Sequence, residues 1–320
     1  MEVLLETVSL KKTYTPWERQ PVYPVDDISL SIQKGEVLGL VGESGCGKST
    51  FGKTLLNLEA ATSGEVFYHG INIAGYKFKQ MRKIRKNLQM VFQNSTDSFN
   101  PYFTVEQIVM EPLNNYSKGS RREKELLVRE MLEQVGLEKD YLSRYGCELS
   151  GGQRQRVNIA RALIVRPEFV VCDEAVSALD YAVRNKILRL LYQMKEEQGL
   201  TYLFISHDLS AVRQICDRVA VMYMGQIMEI LSDLRKETIR HPYTKALLAA
   251  ALGTDPRNRT RGKILFKDEE FGQSVTQGCP FQNRCLYARE RCKTERPPLK
   301  ALDGMGHCAA CHYINEIQSI

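Results

Sequence analysis

The chain has 320 residues, enough for about two domains of roughly 150 residues each. Hydrophobic residues make up 43% and charged residues 26%, which excludes a disordered, collagen-like or disulfide-scaffold protein. The net charge of +6 permits a polyanionic partner without requiring one, and no window approaches the roughly 20 apolar residues that cross a bilayer.

The first residues do not fit an export signal, because Glu2 and Glu6 interrupt its basic and apolar regions. We therefore expect the chain in the cytosol or on the cytosolic side of a membrane. The dense basic stretch at residues 77–86 has only Tyr76 and Phe78 as aromatic neighbours, whereas nucleic-acid surfaces interleave more of them. A solvated helical face is the favoured interpretation, so no nucleic-acid partner is expected.

Short apolar runs predict strands at residues 36–41, 169–172, 202–205 and 219–224. Long helical patterns separate these runs, and continuous apolar strands joined by helices are typical of a parallel sheet buried on both faces. Ligands of such sheets bind beyond the carboxyl ends of the strands, where polar residues occur here. The sequence therefore predicts an α/β fold.

The middle of the chain, residues 104–165, is mostly helical in pattern and includes a helix at 121–135. Strand signals stop after about residue 231, and a helix at 242–252 leads into a stretch rich in Gly, Arg and Asp. Five of the nine cysteines follow. Because the composition changes there, we divide the chain into domains at residues 1–230 and 231–320.

Residues 42–49 read Gly-Glu-Ser-Gly-Cys-Gly-Lys-Ser and match the pattern G-x-x-x-x-G-K-[ST]. Glycines let the backbone curl so that successive N–H groups point at phosphate oxygens, and the following helix adds its positive N-terminus. Lys48 would reach the β- and γ-phosphates, and Ser49 would bind Mg²⁺. A chance glycine-rich turn would not match so many positions between a strand and a helix.

Two acidic residues, Asp173 and Glu174, follow the strand at 169–172. An Asp at this position can hold Mg²⁺ through water, and a Glu can polarise the attacking water. Alone, the pair would fit a solvated turn equally well. Together with the phosphate loop, it predicts a nucleotide-hydrolysing site.

The segment Leu149-Ser150-Gly151-Gly152-Gln153 resembles the signature motif of ATP-binding cassette (ABC) ATPases. The order of the phosphate loop, Gln93, the signature, the two acids and His207 is also similar. Further segments resemble the oligopeptide/dipeptide (and nickel) importer branch: Phe92-Gln93-Asn94, His241-Pro242-Tyr243-Thr244 and Gly278-Cys279-Pro280-Phe281.

This resemblance implies a P-loop NTPase core with a mostly parallel sheet, an antiparallel β subdomain and a helical subdomain. A small cysteine-rich C-terminal extension would follow. The implied function is an ATPase subunit that energises uptake of oligopeptides or dipeptides, or alternatively of nickel or another small solute.

The resemblance also implies a site for ATP and Mg²⁺, in which Glu174 and His207 are catalytic. Tyr14 would stack on adenine, with Trp17 and Tyr23 as rival positions. Gln93 would touch Mg²⁺ and sense the permease. The other implied nucleotide contacts are Gly42, Ser44, Gly45, Cys46, Gly47, Lys48, Ser49, Thr50, Asp173 and Asp180, of which Ser49 and Asp173 would share Mg²⁺ with Gln93.

A helix expected at 153–163 begins at the signature, and its N-terminus makes a second anion site. The signature residues there are Ser150, Gly151, Gly152 and Gln153. In the family, two cassettes pair head-to-tail, and each signature caps the nucleotide of the other. The implied partners are a paralogous ATPase subunit, two membrane permeases and an extracytoplasmic solute-binding protein, with this chain peripheral on the cytoplasmic side of the membrane.

Two other classes of protein fit parts of the pattern. A soluble cassette ATPase of DNA repair or translation would carry a long coiled-coil insertion or tandem cassettes, and the sequence has one cassette and no sustained heptads. A regulatory protein that binds ATP without hydrolysis would not need Glu174, His207 and the signature.

Four cysteines near the C-terminal end, Cys279, Cys285, Cys292 and Cys311, could supply thiolate ligands. Structural zinc usually uses tight C-x₂₋₄-C pairs, which this spacing lacks, whereas iron–sulfur clusters accept other spacings. The resemblance favours a [4Fe–4S] cluster. His307 and Cys308 compete for the fourth ligand position, and four free thiols are the remaining alternative.

Some positions depart from the family pattern. Ala175 replaces the proline that usually follows the catalytic Glu, which would leave that loop less rigid, and Asn94-Ser95 replaces the usual Asn-Pro. Cys46 lies inside the phosphate loop, so its alkylation is expected to block ATP binding.

Overall fold

A computed structural model describes residues 2–15, 20–93, 99–232, 234–235, 238–252, 277–303 and 306–317. Trp17, Asn94 and Ser95 lie outside these residues, as does most of the stretch rich in Gly, Arg and Asp.

In the described residues, the strands in chain order are β1 (Val3–Tyr14), β2 (Val22–Gln33), β3 (Val37–Val41), β4 (Ser63–Tyr68), β5 (Ile71–Asn72), β6 (Leu88–Val91), β7 (Phe169–Asp173), β8 (Thr201–Ile205), β9 (Arg218–Tyr223), β10 (Gln226–Leu231), β11 (Lys300–Ala301) and β12 (Cys308–Ala309). The helices are α1 (Lys48–Leu55), α2 (Phe78–Ile84), α3 (Val105–Tyr116), α4 (Arg121–Gln134), α5 (Gly151–Leu163), α6 (Tyr181–Gln198), α7 (Leu209–Ile215), α8 (Pro242–Leu252) and α9 (Glu290–Thr294). Short 3₁₀ turns lie at Lys139–Tyr141 and Gly146–Glu148. All four predicted strands and the helices predicted at 121–135 and 242–252 are therefore present.

The chain divides into two compact units, each made of several segments. The first unit comprises residues 1–4, 32–37 and 75–215, and the second comprises residues 5–31, 38–74 and 216–320. The predicted domain boundary at residue 230 falls inside the second unit and stays a prediction.

The first unit contains three parallel strands in the order β8-β7-β6, with Phe169 opposite both Thr201 and Leu88. Every residue of β7 and β8 is buried, as the continuous apolar runs predict. The helical middle of the chain belongs to the same unit. Its helix α4 begins where Ser120 accepts a hydrogen bond from the backbone N–H of Glu123, which completes a capping box.

The second unit contains an antiparallel sheet in the order β2-β1-β4-β5 and strands in the order β11-β12-β10-β9-β3. Strands β3 and β9 are parallel, whereas β9, β10, β12 and β11 pair antiparallel. The expectation that strands stop after residue 231 is wrong, because Cys308 pairs with Ile230 and extends this sheet. Strands of two residues are too short to show an alternating pattern.

The mixed α/β architecture with parallel and antiparallel strands confirms the predicted fold class, whereas the cysteine-rich extension stays a prediction. Within the described residues, no helix is both long and apolar enough to cross a bilayer.

Candidate functional site

The predicted phosphate loop connects β3 to α1 in the second unit. Lys48 is the first residue of α1, and its Nζ donates to the carbonyl oxygens of Gly42 and Glu43 at 2.9 and 2.8 Å. These bonds fold the loop around its own lysine. The loop leads directly into the N-terminus of α1, an end that favours anions, and its contact with phosphate stays a prediction.

Two glycines hold the shape of this loop. Gly47 has φ +107°, and a Cβ there would lie 1.8 Å from the carbonyl oxygen of Pro24. A Cβ on Gly42 would lie 2.1 Å from the carbonyl oxygen of Met222. Any side chain at either position would collide with backbone, so the pattern demands glycine for a steric reason.

Two further loop residues differ sharply in access to solvent. Ser44 is exposed, whereas Cys46 is only 1% exposed. Burial raises the pKa of the Cys46 thiol, and the nearby Lys48 opposes that rise. Alkylation of Cys46 in the native protein should therefore be slow, since the reagent needs an accessible thiolate.

Tyr14, the predicted adenine-stacking residue, lies at the end of β1 and is partly exposed. Its hydroxyl hydrogen-bonds to Glu59, and burial together with Glu59 raises its pKa to about 12. The Nζ of Lys12 lies 5.0 Å from the centre of the Tyr14 ring. Its rival Tyr23 is similarly exposed, so the stacking role of Tyr14 stays a prediction.

The first unit brings the two predicted catalytic residues, Glu174 and His207, together with Gln93, the predicted Mg²⁺ contact. Gln93 Nε2 donates to Oε2 of Glu174 at 2.9 Å, and His207 Nδ1 lies 3.3 Å from Oε1 of Glu174. Asp173, the neighbouring residue at the end of β7, is buried. This arrangement allows Glu174 to accept a proton while an amide and an imidazole orient it.

The backbone of Glu174 is left-handed, with φ +48°. Its N–H donates to the carbonyl oxygen of Ile205 at 3.0 Å, and Ser177 N–H and Oγ both bond to its carbonyl oxygen. Ala175, at the position where the family usually has proline, is fully buried. Hydrogen bonds and packing therefore hold this turn without the proline.

The signature residues form the N-terminus of α5. Ser150 Oγ accepts from the N–H of Gln153, and Gln153 Oε1 accepts from the N–H of Ser150 at 2.9 Å. Because this capping box sets the start of the helix, α5 begins at Gly151, two residues before the position predicted. Ser150 and Gly151 are exposed, and nothing lies within 4 Å of a Cβ built on Gly151. The helix terminus is therefore exposed.

Asp180, also predicted to contact nucleotide, caps the following helix. Its Oδ1 accepts from the N–H of Val183 at 3.0 Å, at the start of α6. This is the ordinary stabilising role of an Asp at a helix N-terminus, and the predicted contact with nucleotide stays a prediction.

The four predicted cysteine ligands belong to the second unit and border a single small cavity of about 20 Å³, which Phe281 and His241 also line. Burial, and to a lesser extent the other three thiols, raises the pKa of Cys279 to about 12. None of the nine cysteines, all of which lie among the described residues, forms a disulfide. Within the described residues, however, no group of three or more His, Cys, Asp or Glu side chains is arranged to hold a metal ion.

The two rivals for the fourth position lie elsewhere. His307 Nε2 is 2.9 Å from Oε1 of Glu229, a carboxylate with 0% exposure that also accepts from the N–H groups of Arg240 and His241. Cys308 lies on β12 and does not line the cavity.

Sequence reasoning did not assign a role to two contacts of the phosphate loop. Arg284 donates to both carboxylate oxygens of Glu43, at 3.0 and 2.8 Å, and Tyr243 Oη accepts from the N–H of Glu43 at 3.0 Å. Glu43 occupies a variable position of the loop pattern, and Arg284 stands 241 positions later. No local signal connects them.

Comparisons with known proteins identify the family of the chain. Residues 25–177 match the family model "ABC transporter", and residues 230–292 match "Oligopeptide/dipeptide transporter, C-terminal region". The chain is 43% identical over 323 residues to the oligopeptide transport ATP-binding protein AppF of Bacillus subtilis, covering 97% of each chain.

Solved structures point the same way. An ATP-binding cassette solved as a dimer in a post-hydrolysis state with ADP and phosphate is 31% identical, with a TM-score of 0.68, and the match covers 72% of this chain and 98% of that one. A dimeric bacterial ABC transporter cassette gives 31% identity and a TM-score of 0.67, covering 70% of this chain and 96% of that one. The chain therefore belongs to the ATP-binding proteins of the oligopeptide/dipeptide ABC transporter family, as its motifs predicted.

Proposed function

We propose that this chain hydrolyses ATP to energise the import of oligopeptides or dipeptides through a membrane transporter. The observation that carries the proposal is the pair of contacts that Gln93 and His207 make with Glu174, because they orient a general base. The 43% identity to an oligopeptide transport ATP-binding protein along 97% of the chain supports the peptide substrate. The match of residues 230–292 to the oligopeptide/dipeptide family model supports the same substrate over nickel.

Different residues of this chain bind the phosphates, accept the proton and supply donors to Mg²⁺. Lys48 and the N–H groups of the loop bind the β- and γ-phosphates, and Glu174 accepts the proton of the attacking water. Ser49, Gln93 and Asp173 offer the oxygen donors that Mg²⁺ prefers. When bound, that ion neutralises the charge that develops on the phosphates.

Replacement of Glu174 by Gln tests the catalytic role. We expect Glu174→Gln to lower steady-state phosphate release at least about 100-fold while ATP still binds, because the amide keeps the size of the side chain and loses the base. Glu197→Gln, an exposed change on α6, is the matched control and should hydrolyse ATP like the wild type. Normal hydrolysis by Glu174→Gln would refute the assignment of the base.

We further propose that two cassettes pair head-to-tail and that the exposed Ser150–Gly151 terminus caps the nucleotide of the partner. The open N-terminus of α5 and the dimeric state of both similar cassettes support this pairing. Glu174→Gln with ATP should elute as a dimer in size-exclusion chromatography, alone or with a paralogous ATPase. If it stays monomeric in both conditions, head-to-tail pairing is refuted.

The proposed assembly contains a paralogous cassette, two permeases and an extracytoplasmic solute-binding protein, with this chain peripheral on the cytoplasmic side of the membrane. Membership of a transporter family and the absence of a membrane-spanning helix from the described residues support this assembly. Tagged chain should co-purify with polytopic membrane proteins. Recovery with soluble partners alone would favour a soluble cassette ATPase.

We propose that Cys279, Cys285, Cys292 and Cys311 bind a [4Fe–4S] cluster. All four line one cavity and none forms a disulfide, which supports the choice of donors. The described side chains do not form a preformed metal site, so the thiols must turn toward one another and lose their protons. Anaerobically purified protein should contain about four irons per chain. A colourless preparation without iron would refute the cluster. If that preparation contained zinc, the four cysteines would be assigned to a zinc site instead.

A further inference from the structure

The first observation is that a C-terminal segment reaches back to the phosphate loop within the second unit. Glu43 is the second residue of the loop. Its carboxylate receives both hydrogen bonds from Arg284, and its N–H donates to Tyr243 of α8. Two separate C-terminal elements thus fix one loop residue.

The second observation is that this ion pair is shielded. The Arg284 side chain is 12% exposed and that of Glu43 is 27% exposed. The guanidinium carbon of Arg284 lies 5.9 Å from the ring centre of Tyr223 and 5.8 Å from that of Phe281. The aromatic rings cover part of the ion pair, so water and salt screen its charges less than at an exposed site. Loss of either partner would therefore leave the other charge partly buried and unpaired.

The third observation concerns the lysine that contacts phosphate. Lys48 Nζ donates to the carbonyl oxygen of Glu43, while Arg284 holds the side chain of the same residue. A free carboxylate at this position would repel a triphosphate and could compete for Lys48. Arg284 removes both effects because it neutralises Glu43 and directs its carboxylate to the C-terminal segment.

We propose that Arg284 is a positioning residue for ATP binding, which holds and neutralises Glu43 of the phosphate loop. This inference rests on the proposed nucleotide site at residues 42–50. Arg284 acts through Glu43 and does not itself touch the substrate. It stands next to Cys285, so the cysteine-rich segment has a direct mechanical link to the phosphate loop.

The test compares Kd values for MgATP measured by calorimetry at low ionic strength. We expect Arg284→Gln to raise Kd about fivefold to tenfold, because a shielded carboxylate loses its partner beside an anion site. The Glu43→Gln/Arg284→Gln double variant should return to within about twofold of the wild type, since it removes the unpaired charge. The increase in Kd that Arg284→Gln causes should be smaller for MgADP than for MgATP, because MgADP carries less charge. For both nucleotides, it should also be smaller at high salt than at low salt. Arg289→Gln, an exposed position of the same segment, should bind like the wild type.

The outcomes separate the two proposals. Wild-type protein that does not bind MgATP refutes the proposed nucleotide site itself. If the wild type binds and Arg284→Gln binds equally well, the positioning role alone is refuted. If Arg284→Gln binds weakly and Glu43→Gln does not restore it, the loss comes from damage to the C-terminal segment, and the inference is also refuted.

Discussion

The buried carboxylate of Glu229 allows a sharp test of how the end of the chain attaches to β10. Glu229 has 0% exposure, and His307, 78 positions away, lies 2.9 Å from its Oε1. A hydrogen bond to a charged group contributes about 1.5–3 kcal/mol. His307→Ala should therefore lower the local opening free energy by roughly 2 kcal/mol, because the carboxylate stays buried with one partner fewer.

Hydrogen exchange detects this change where it occurs. The N–H of Ala310 donates to the carbonyl oxygen of Met228 at 2.9 Å, beside the β10–β12 pairing. A loss of roughly 2 kcal/mol should make this amide exchange about 30-fold faster. Lys293→Ala breaks an exposed pair with Glu290 and should change the exchange less than about twofold.

A double-mutant cycle identifies the cause. In a Glu229→Gln background, the amide oxygen can still accept from the N–H groups of Arg240 and His241, but no buried charge remains. His307→Ala should then cost only about 1 kcal/mol, the contribution of a hydrogen bond between neutral groups. Equal costs in both backgrounds, or no effect of His307→Ala on the wild type, would refute the argument from the buried charge.

Two further predictions follow from the loop and the thiols. Gly47→Ala should abolish measurable ATP binding in calorimetry, because its Cβ would lie 1.8 Å from a carbonyl oxygen. The control Gly75→Ala places its Cβ in open space and should bind ATP normally. Normal binding by Gly47→Ala would contradict the steric argument. In native protein at pH 8, mass spectrometry should find exposed Cys147 alkylated at least about 100-fold faster than Cys172, whose burial raises its pKa to about 12. Similar rates at the two sites would show that the strand around Cys172 opens readily.

The sequence predicted the elements whose signals are local. The phosphate loop and the buried strands β7 and β8 each combine an apolar run with the polar residues that follow it, and α8 was predicted at its observed bounds. The strand β12 was missed because two residues carry no periodicity. The contact of Arg284 with Glu43 was missed because the two residues are 241 positions apart, and no local sequence pattern indicates that either has a distant partner.

The prediction of catalytic residues depended on a different kind of information. Glu174 and His207 were assigned as catalytic, and Gln93 as a Mg²⁺ contact, from the order of motifs. In the structure, the side chains of Gln93 and His207 each contact that of Glu174. Periodicity alone gave no reason to join them, because each follows a different strand. The start of α5 was predicted two residues late, since the capping box at Ser150 outweighs the low helix preference of the two glycines.

The left-handed backbone of Glu174 has a consequence for attempts to engineer the protein. The left-handed conformation costs a residue with a side chain about 1 kcal/mol of folding stability, whereas glycine adopts it freely. A laboratory selection for heat resistance alone should therefore enrich Glu174→Gly, which relaxes the backbone and discards the base. Thermostability and turnover compete at this position, so a useful selection must demand both.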